Sequence, residues 1–454
     1  MRITYRGGRR NCRPAPLFWP GERVRMMHAL TLTRSGTASG IASPSRAAPS
    51  RPSSARPSPE AASAGGLMPL ASRPRDPRVD VLRGAALLMI FVDHIPDDAL
   101  NVATLHNFGF CDAAEIFVLL AGFSSMMAYG AKFDRHGLTS ATLGRIAARC
   151  GKIYLMQAAL LFLTLVTVWL WSQRFQIPAA TLAPLVEDGA GGLIRALTLR
   201  ALPGFLDILP LYIVLLAAFP LLYLAMRRHM LLGLGLSGLV WVAANLDHDL
   251  NLPNSIDGHG WYFNPFTWQL LFAIGAAAAV LMARRGDVLP RRGWLVALCC
   301  AYLGFAFLQG ATWEDWHLPS LRLLDMPPPD KSHLSPLRIL DVLALLYLIA
   351  SSPGIRAWAN GRVAGAIALF GRHSLEVFTV GCAGALFARL LFRTNGNSLA
   401  LQVGVNVIGI GSMFLVAWAL EHSRAKKRDG ATPTARRRGD VRFQQGEIGV
   451  YRAG

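Results

Sequence analysis

The chain has 454 residues, 53% of them hydrophobic and only 16% charged, with a mean hydropathy of +0.36. That balance excludes an ordinary soluble domain, in which about a quarter of residues are charged. The formal charge of +19 does not point to nucleic acid, because the Lys and Arg fall in the connections between apolar stretches instead of gathering into a phosphate-binding patch. Apolar runs of bilayer-spanning length, about 20 residues each, recur along the chain. They fall near 79–96, 112–131, 153–172, 204–226, 230–246, 265–283, 293–310, 338–353, 373–393 and 399–420. We expect an all-α, polytopic membrane bundle of about ten helices embedded in a lipid bilayer.

Ahead of the first run, residues 1–75 are dense in Arg, Ser, Pro and Ala. They carry too little apolar surface to offset the entropy of ordering, so they read as a disordered tail. No signal-peptide pattern is present, and Met68 is an alternative start. The membrane domain is expected over 76–421. A basic tail over 422–454, including Arg436-Arg437-Arg438, reads as a topology signal and an attraction to anionic lipid.

The first run is the most informative. Asp80-Val81-Leu82-Arg83-Gly84 leads through apolar residues to Asp93-His94, which places four ionisable side chains on one expected span. Charge inside a membrane is costly and marks function by default. Arg83 and His94 lie about three helical turns, roughly 16 Å, apart on one face, with Asp80 beside them. Two readings stay open: a basic anchor with a base deeper in the span, or end charges snorkelling to water.

The second run opens Asp112-Ala113-Ala114-Glu115. Glu115 is expected near the depth of His94 on the next, antiparallel helix. It reads either as a carboxylate that orients the imidazole or as a helix-start charge favoured by the dipole. Lys132, Arg135, Arg145, Arg149 and Lys152 follow this run. Lys152 and Tyr154, at the third run, fit anchoring and ligand binding equally. Arg227 and Arg228 follow the fourth run. Asn264-Pro265-Phe266-Thr267-Trp268-Gln269 opens the sixth, where Gln269 needs a partner inside the bundle. Arg284, Arg285, Arg291 and Arg292 follow it, and Arg356, Arg362 and Arg372 follow the eighth. Arg372 and His373, in Gly371-Arg372-His373-Ser374-Leu375-Glu376, could hold a phosphate at a helix start or anchor that helix to headgroups.

Loops 97–111 and 247–264 contain no Lys or Arg. The positive-inside rule then puts both termini in the cytoplasm, N-in and C-in. The 173–203 and 311–337 loops, with Arg174, Arg195, Arg200, Arg322 and Lys331, are more basic than the rule favours. They are also longer, and long loops translocate with less regard to charge. The six cysteines have no metal-ligand spacing, and no Walker, dinucleotide or zinc-protease pattern occurs, so neither a bound cofactor nor a metal is expected.

Taken in order, Asp80-Val81-Leu82-Arg83-Gly84 with His94, Ala114-Glu115-Ile116-Phe117-Val118, Asn264-Pro265-Phe266-Thr267-Trp268-Gln269, Leu334-Ser335-Pro336-Leu337-Arg338 and Gly371-Arg372-His373-Ser374-Leu375 resemble the OpgC family. That family is a branch of the acyltransferase-3 type membrane proteins. The likeness runs from about Arg75 to Glu421. The Arg-x10-His spacing of Arg83 and His94 is similar to the mark of the wider group, and the Asn-Pro-Phe-x-Trp-Gln element points to OpgC within it. Ala121 stands where many acyltransferase relatives carry a Ser before Gly-Phe, which removes a hydroxyl role at that point.

The resemblance implies an inner-membrane O-acyltransferase that moves an acyl group, succinyl in the characterised members, onto periplasmic glucan or another envelope saccharide. The implied co-substrate is acyl-CoA, with succinyl-CoA the expected donor from the cytoplasm. His94 would be the base or the acyl carrier, with Glu115 and Asp93 beside it. Arg83, Arg145, Arg149 and Arg372 suit the phosphates of CoA. Asp80, Tyr154, Gln269 and His373 complete the candidate substrate-binding set. Asp247, His248, Asp249, Asp257, His259, Trp261, Trp313 and Trp316 in the outer loops are candidates for glucan contact or for interfacial anchoring. A transporter or flippase with an intramembrane His/Asp proton relay is the alternative. Oligomeric state is not legible in the chain.

Overall fold

The computed structural model describes residues 76–430, apart from 176–184, 186–187, 257, 259 and 286–288. The expectations for 1–75, for Met68, for Asp257 and His259 and for the 436–438 run lie outside the described residues. Among the described residues every regular element is helical. The order is α1 (Pro77–Asp93), α2 (Ala113–Ser125), α3 (Ala131–His136), α4 (Ser140–Phe175), α5 (Gly189–Leu197), α6 (Ile208–Arg228) and α7 (Met230–Leu246). It continues with α8 (Pro265–Arg285), α9 (Gly293–Gly310), α10 (Pro336–Ser351), α11 (Pro353–Trp358), α12 (Arg362–Arg372), α13 (Ser374–Asn395) and α14 (Leu399–Gly430).

Seven helical stretches are long and apolar enough to cross a membrane. They are α2 continued through a π-helical turn (Met126–Gly130) into α3, then α4, α6, α8, α9, α13 and most of α14. Helices α1, α7 and α10 have 17, 17 and 16 residues. The ten expected segments thus divide into seven of spanning length and three short of it.

Two of the boundaries that differ from expectation bear on the site. The third segment starts at Ser140, so Arg145, Arg149 and Lys152, expected in or at the edge of a connecting loop, ride on α4 itself. The first ends at Asp93, three residues before the expected limit, because Pro96 disfavours helical backbone at the residue ahead of it.

Local chemistry explains where the helices around the site begin. The Asp76 side chain caps α1 by accepting from the Arg78 N–H, with Pro77 in the first turn. Helix α2 begins with a full capping box. The Asp112 carboxylate accepts from the Ala114 N–H, and Glu115 accepts from the Asp112 N–H. The Asn264 side chain accepts from the Phe266 N–H at the head of α8.

Two glycine-lined crossings then set the frame. A Cβ on Gly84 of α1 would strike the Ile367 carbonyl of α12, and one on Gly371 would strike the Asp80 carbonyl of α1. Between α2 and α8 the same holds for Gly122 against Phe272 and for Gly275 against Leu119. Such small-residue contacts let backbones approach closely where lipid gives helices no hydrophobic reason to associate. They fix α1 against α12 and α2 against α8, and with them the ends of α1 and α2.

Candidate functional site at the end of the first helix

His94 caps the C-terminus of α1 in a right-handed helical conformation, half-buried. Its Nδ1 is buried and, among the described residues, has no hydrogen-bond partner. The ring lies edge-on to Phe205, centroids 4.8 Å apart. Phe205 holds a φ of 73°, a left-handed conformation that bulky residues rarely adopt. His94 and Phe205 line a small cleft with Asp93, Asp112, Asp207, Phe263 and Lys331.

Beneath the cleft lies a quartet of charges. Lys331 Nζ donates to Asp112 Oδ2 at 2.5 Å, and Arg338 Nη2 donates to the same oxygen at 3.3 Å. Arg338 Nε donates to Glu115 Oε1 at 2.6 Å, and Glu115 is fully buried. Two carboxylates thus meet two cations, which suits a poorly solvated place. Burial alone would lower the Lys331 ammonium, but Asp112 and Glu115 outweigh it and hold its pKa above the ordinary lysine value. Asp341 of α10 accepts from the Phe110 and Cys111 N–H groups at 2.7 Å each, so α10 also fixes the approach to α2.

The Asn-Pro-Phe-Thr-Trp-Gln element acts on this quartet through the backbone. The Trp268 indole donates to the Lys331 and Ser332 carbonyls, and the Thr267 hydroxyl and Asn264 N–H reach the Ser332 carbonyl. Lys331 Nζ stands 5.7 Å over the Phe263 ring. The motif therefore pins the loop that carries Lys331. Gln269, expected to bind substrate, bonds through both amide atoms to Ser237 of α7, away from the cleft.

Other expected residues fall into separate places. Neither expected carboxylate neighbour is hydrogen-bonded to His94. Asp93 pairs with His106 at 3.2 Å. Successive residues of a helix point about 100° apart, which turns Asp93 from the imidazole. Glu115, third in its capping box, is folded back along its own helix start, so its carboxylate meets Arg338 and does not cross to α1. Arg83 donates to the Leu120 carbonyl and the Ser124 hydroxyl of α2. Asp80 is buried at the α1–α12 crossing.

Arg372 and His373 pair with Glu421 of α14, and Lys152 with Glu376. These pairs lie at the end of the bundle where α1 begins. Arg145 is exposed on the first turns of α4, Arg149 half-buried, and the Tyr154 hydroxyl donates to the Leu197 carbonyl. Trp313 and Trp261 are buried, and Trp313 packs on Phe307 and Trp316, so neither indole is an open sugar platform. Asp112, Lys331, Arg338 and Asp207 were not among the expected site residues. Lys331 had one legible signal, a cation in a loop where the positive-inside rule disfavours it.

Seven helical stretches of spanning length, with a half-buried histidine and a neutral charge quartet at one polar cleft, define a multi-pass membrane protein. The chain belongs to the OpgC family, whose model, described as OpgC protein, matches residues 75–425. That family is associated with succinylation of glucans. No curated protein and no solved structure matches the chain.

Proposed function

We propose that the chain is an O-acyltransferase of the bacterial inner membrane that moves a succinyl group from cytoplasmic succinyl-CoA to a hydroxyl of periplasmic glucan. The observation that carries this reading is His94, an imidazole whose buried nitrogen has no partner among the described residues, lining a small polar cleft in a chain of this family.

The chemistry balances on that one ring. An imidazole nitrogen takes the proton of the acceptor hydroxyl as its oxygen bonds to the thioester carbon. The carbon–sulfur bond then breaks, and the imidazolium returns the proton to the departing thiolate. An acyl-imidazole formed first, with thiol leaving before the hydroxyl attacks, uses the same groups in two steps. The carboxylates of Asp93, Asp112 and Asp207 suit an acceptor rich in hydroxyl donors. Glu115 acts at a remove, as a positioning residue that holds Arg338 and the start of α2.

Support for the orientation comes from the charges. Arg145, Arg149 and Arg372 lie toward the end of the bundle opposite His94, where the positive-inside rule places the cytoplasm and the CoA phosphates arrive. Counting α1, α7 and α10 as shorter spans makes ten crossings with both termini inside.

The test is direct. Purified protein incubated with labelled succinyl-CoA and glucan should yield succinylated glucan by mass spectrometry. Solute movement across vesicles with no acylated product would overturn the reading in favour of a carrier.

A further inference from the structure

Arg389 lies on the last turns of α13, beside the end of α1. Its guanidinium lies 3.8 Å over the Phe205 ring, and Nη2 donates to the His94 carbonyl at 2.9 Å. Phe205 in turn meets the His94 imidazole and lines the cleft. A guanidinium offers five N–H donors in a rigid fork that matches a carboxylate. Among the described residues no carboxylate forms an ion pair with Arg389, whereas Arg338 and Arg372 have Glu115 and Glu421. Exposed Arg393, one turn on, adds a second cation.

A half-buried cation near the membrane is expected to find an anion. The bland account, an arginine reaching for water or headgroups, fits Arg393 better. Arg389 is folded inward onto an aromatic ring and the carbonyl at the end of α1. Lys331, the cation that lines the cleft, is already neutralised by Asp112.

Resting on the acyltransferase reading above, we propose that Arg389 receives the distal carboxylate of a dicarboxylic acyl group while its thioester carbon stands at His94. A four-carbon diacid spans about 4–5 Å between its end carbons. Phe205 touches both the guanidinium and the imidazole, so the two groups flank one ring. Arg389 then decides which acyl group is transferred, and His94 performs the transfer.

Succinyl-CoA and butyryl-CoA have the same chain length and differ in the carboxylate, so they are the probes. With purified full-length protein, Arg389→Gln should lower succinyl transfer about 100-fold while butyryl transfer stays within about twofold. Arg389→Lys, which keeps the charge but loses the fork, should raise the KM for succinyl-CoA about tenfold and leave that for butyryl-CoA unchanged. Equal loss with both donors, unchanged KM values in the Lys variant, or a donor-selective loss from Lys331→Gln instead would overturn the assignment. Wild-type protein that transfers neither acyl group would overturn the acyltransferase reading itself, a failure distinct from unaltered donor choice in an active Arg389 variant.

Discussion

At the residue scale, chemistry and structural support separate cleanly. His94 makes no side-chain hydrogen bond at its buried nitrogen, so its removal leaves no buried partner stranded. His94→Ala should therefore cut acyl transfer by about 100- to 10,000-fold, the range for a general base, with folded yield unchanged by size-exclusion chromatography. Near-normal acylation by that variant would remove His94 from the mechanism.

Lys331 is the opposite case. It neutralises Asp112 inside a four-charge cluster, and Lys331→Met leaves the buried Asp112 and Glu115 carboxylates to share the single cation Arg338. Since Lys331 keeps some contact with water, the cost should be about 2–3 kcal/mol, read as a lowered melting temperature in detergent. Adding Asp112→Asn should recover part of it. Because its folded pKa is raised, the ammonium's contribution is fully present below the ordinary lysine pKa and is lost only as pH rises through that folded value. The melting temperature of wild-type protein should therefore show no Lys331-dependent change near neutrality.

At the element scale, the glycine crossings decide where the site residues sit. The Gly84 backbone lies so close to the Ile367 carbonyl that even one methyl group forces α1 and α12 apart. Gly84→Ala should cost about 1–3 kcal/mol by overpacking. Because α1 carries His94, activity should fall further than stability. Gly144→Ala, where nothing lies within 4 Å, is the control and should leave both unchanged. Equal behaviour of the two variants would remove the crossing from the argument.

The capping box of α2 is settled within one helical turn, and the sequence left Glu115 open between a helix-start charge and a carboxylate beside His94. What those same two carboxylates do next was not legible. Asp112 meets Lys331 at 219 positions' separation, and Glu115 meets Arg338 at 223.

At the scale of the whole molecule, the proposed orientation rests on charge placement. A reporter inserted after Gly137, in the short connection between α3 and α4, should report cytoplasm, as should one after Arg285. One at Asp249, exposed beyond α7, should report periplasm. Cytoplasmic signal at Asp249 would reverse the bundle and put the cleft on the donor's side. The earlier start of α4 is why Gly137 is the better site than Lys152, which lies well inside that helix and pairs with Glu376.

The sequence by itself determined the class of molecule, the succession of apolar helices and the family. Each of these is written in neighbouring residues: hydropathy over a span, a motif in order. Only the tertiary structure decided what stands around His94. Asp93 and Glu115, close to it in sequence or in expected depth, turn to His106 and Arg338. Lys331, Phe205 and Arg389 arrive from distant segments. The Asn-Pro-Phe-Thr-Trp-Gln element could be recognised as a string, but its work, holding the backbone under Lys331, depends on which loop folds over the head of α8. The physical reason is range. Helix formation and capping are short-range and nearly context-free, whereas an ion pair or a stacked ring depends on which helix ends meet, and that is set by close crossings such as Gly84 on Ile367 far from the site itself.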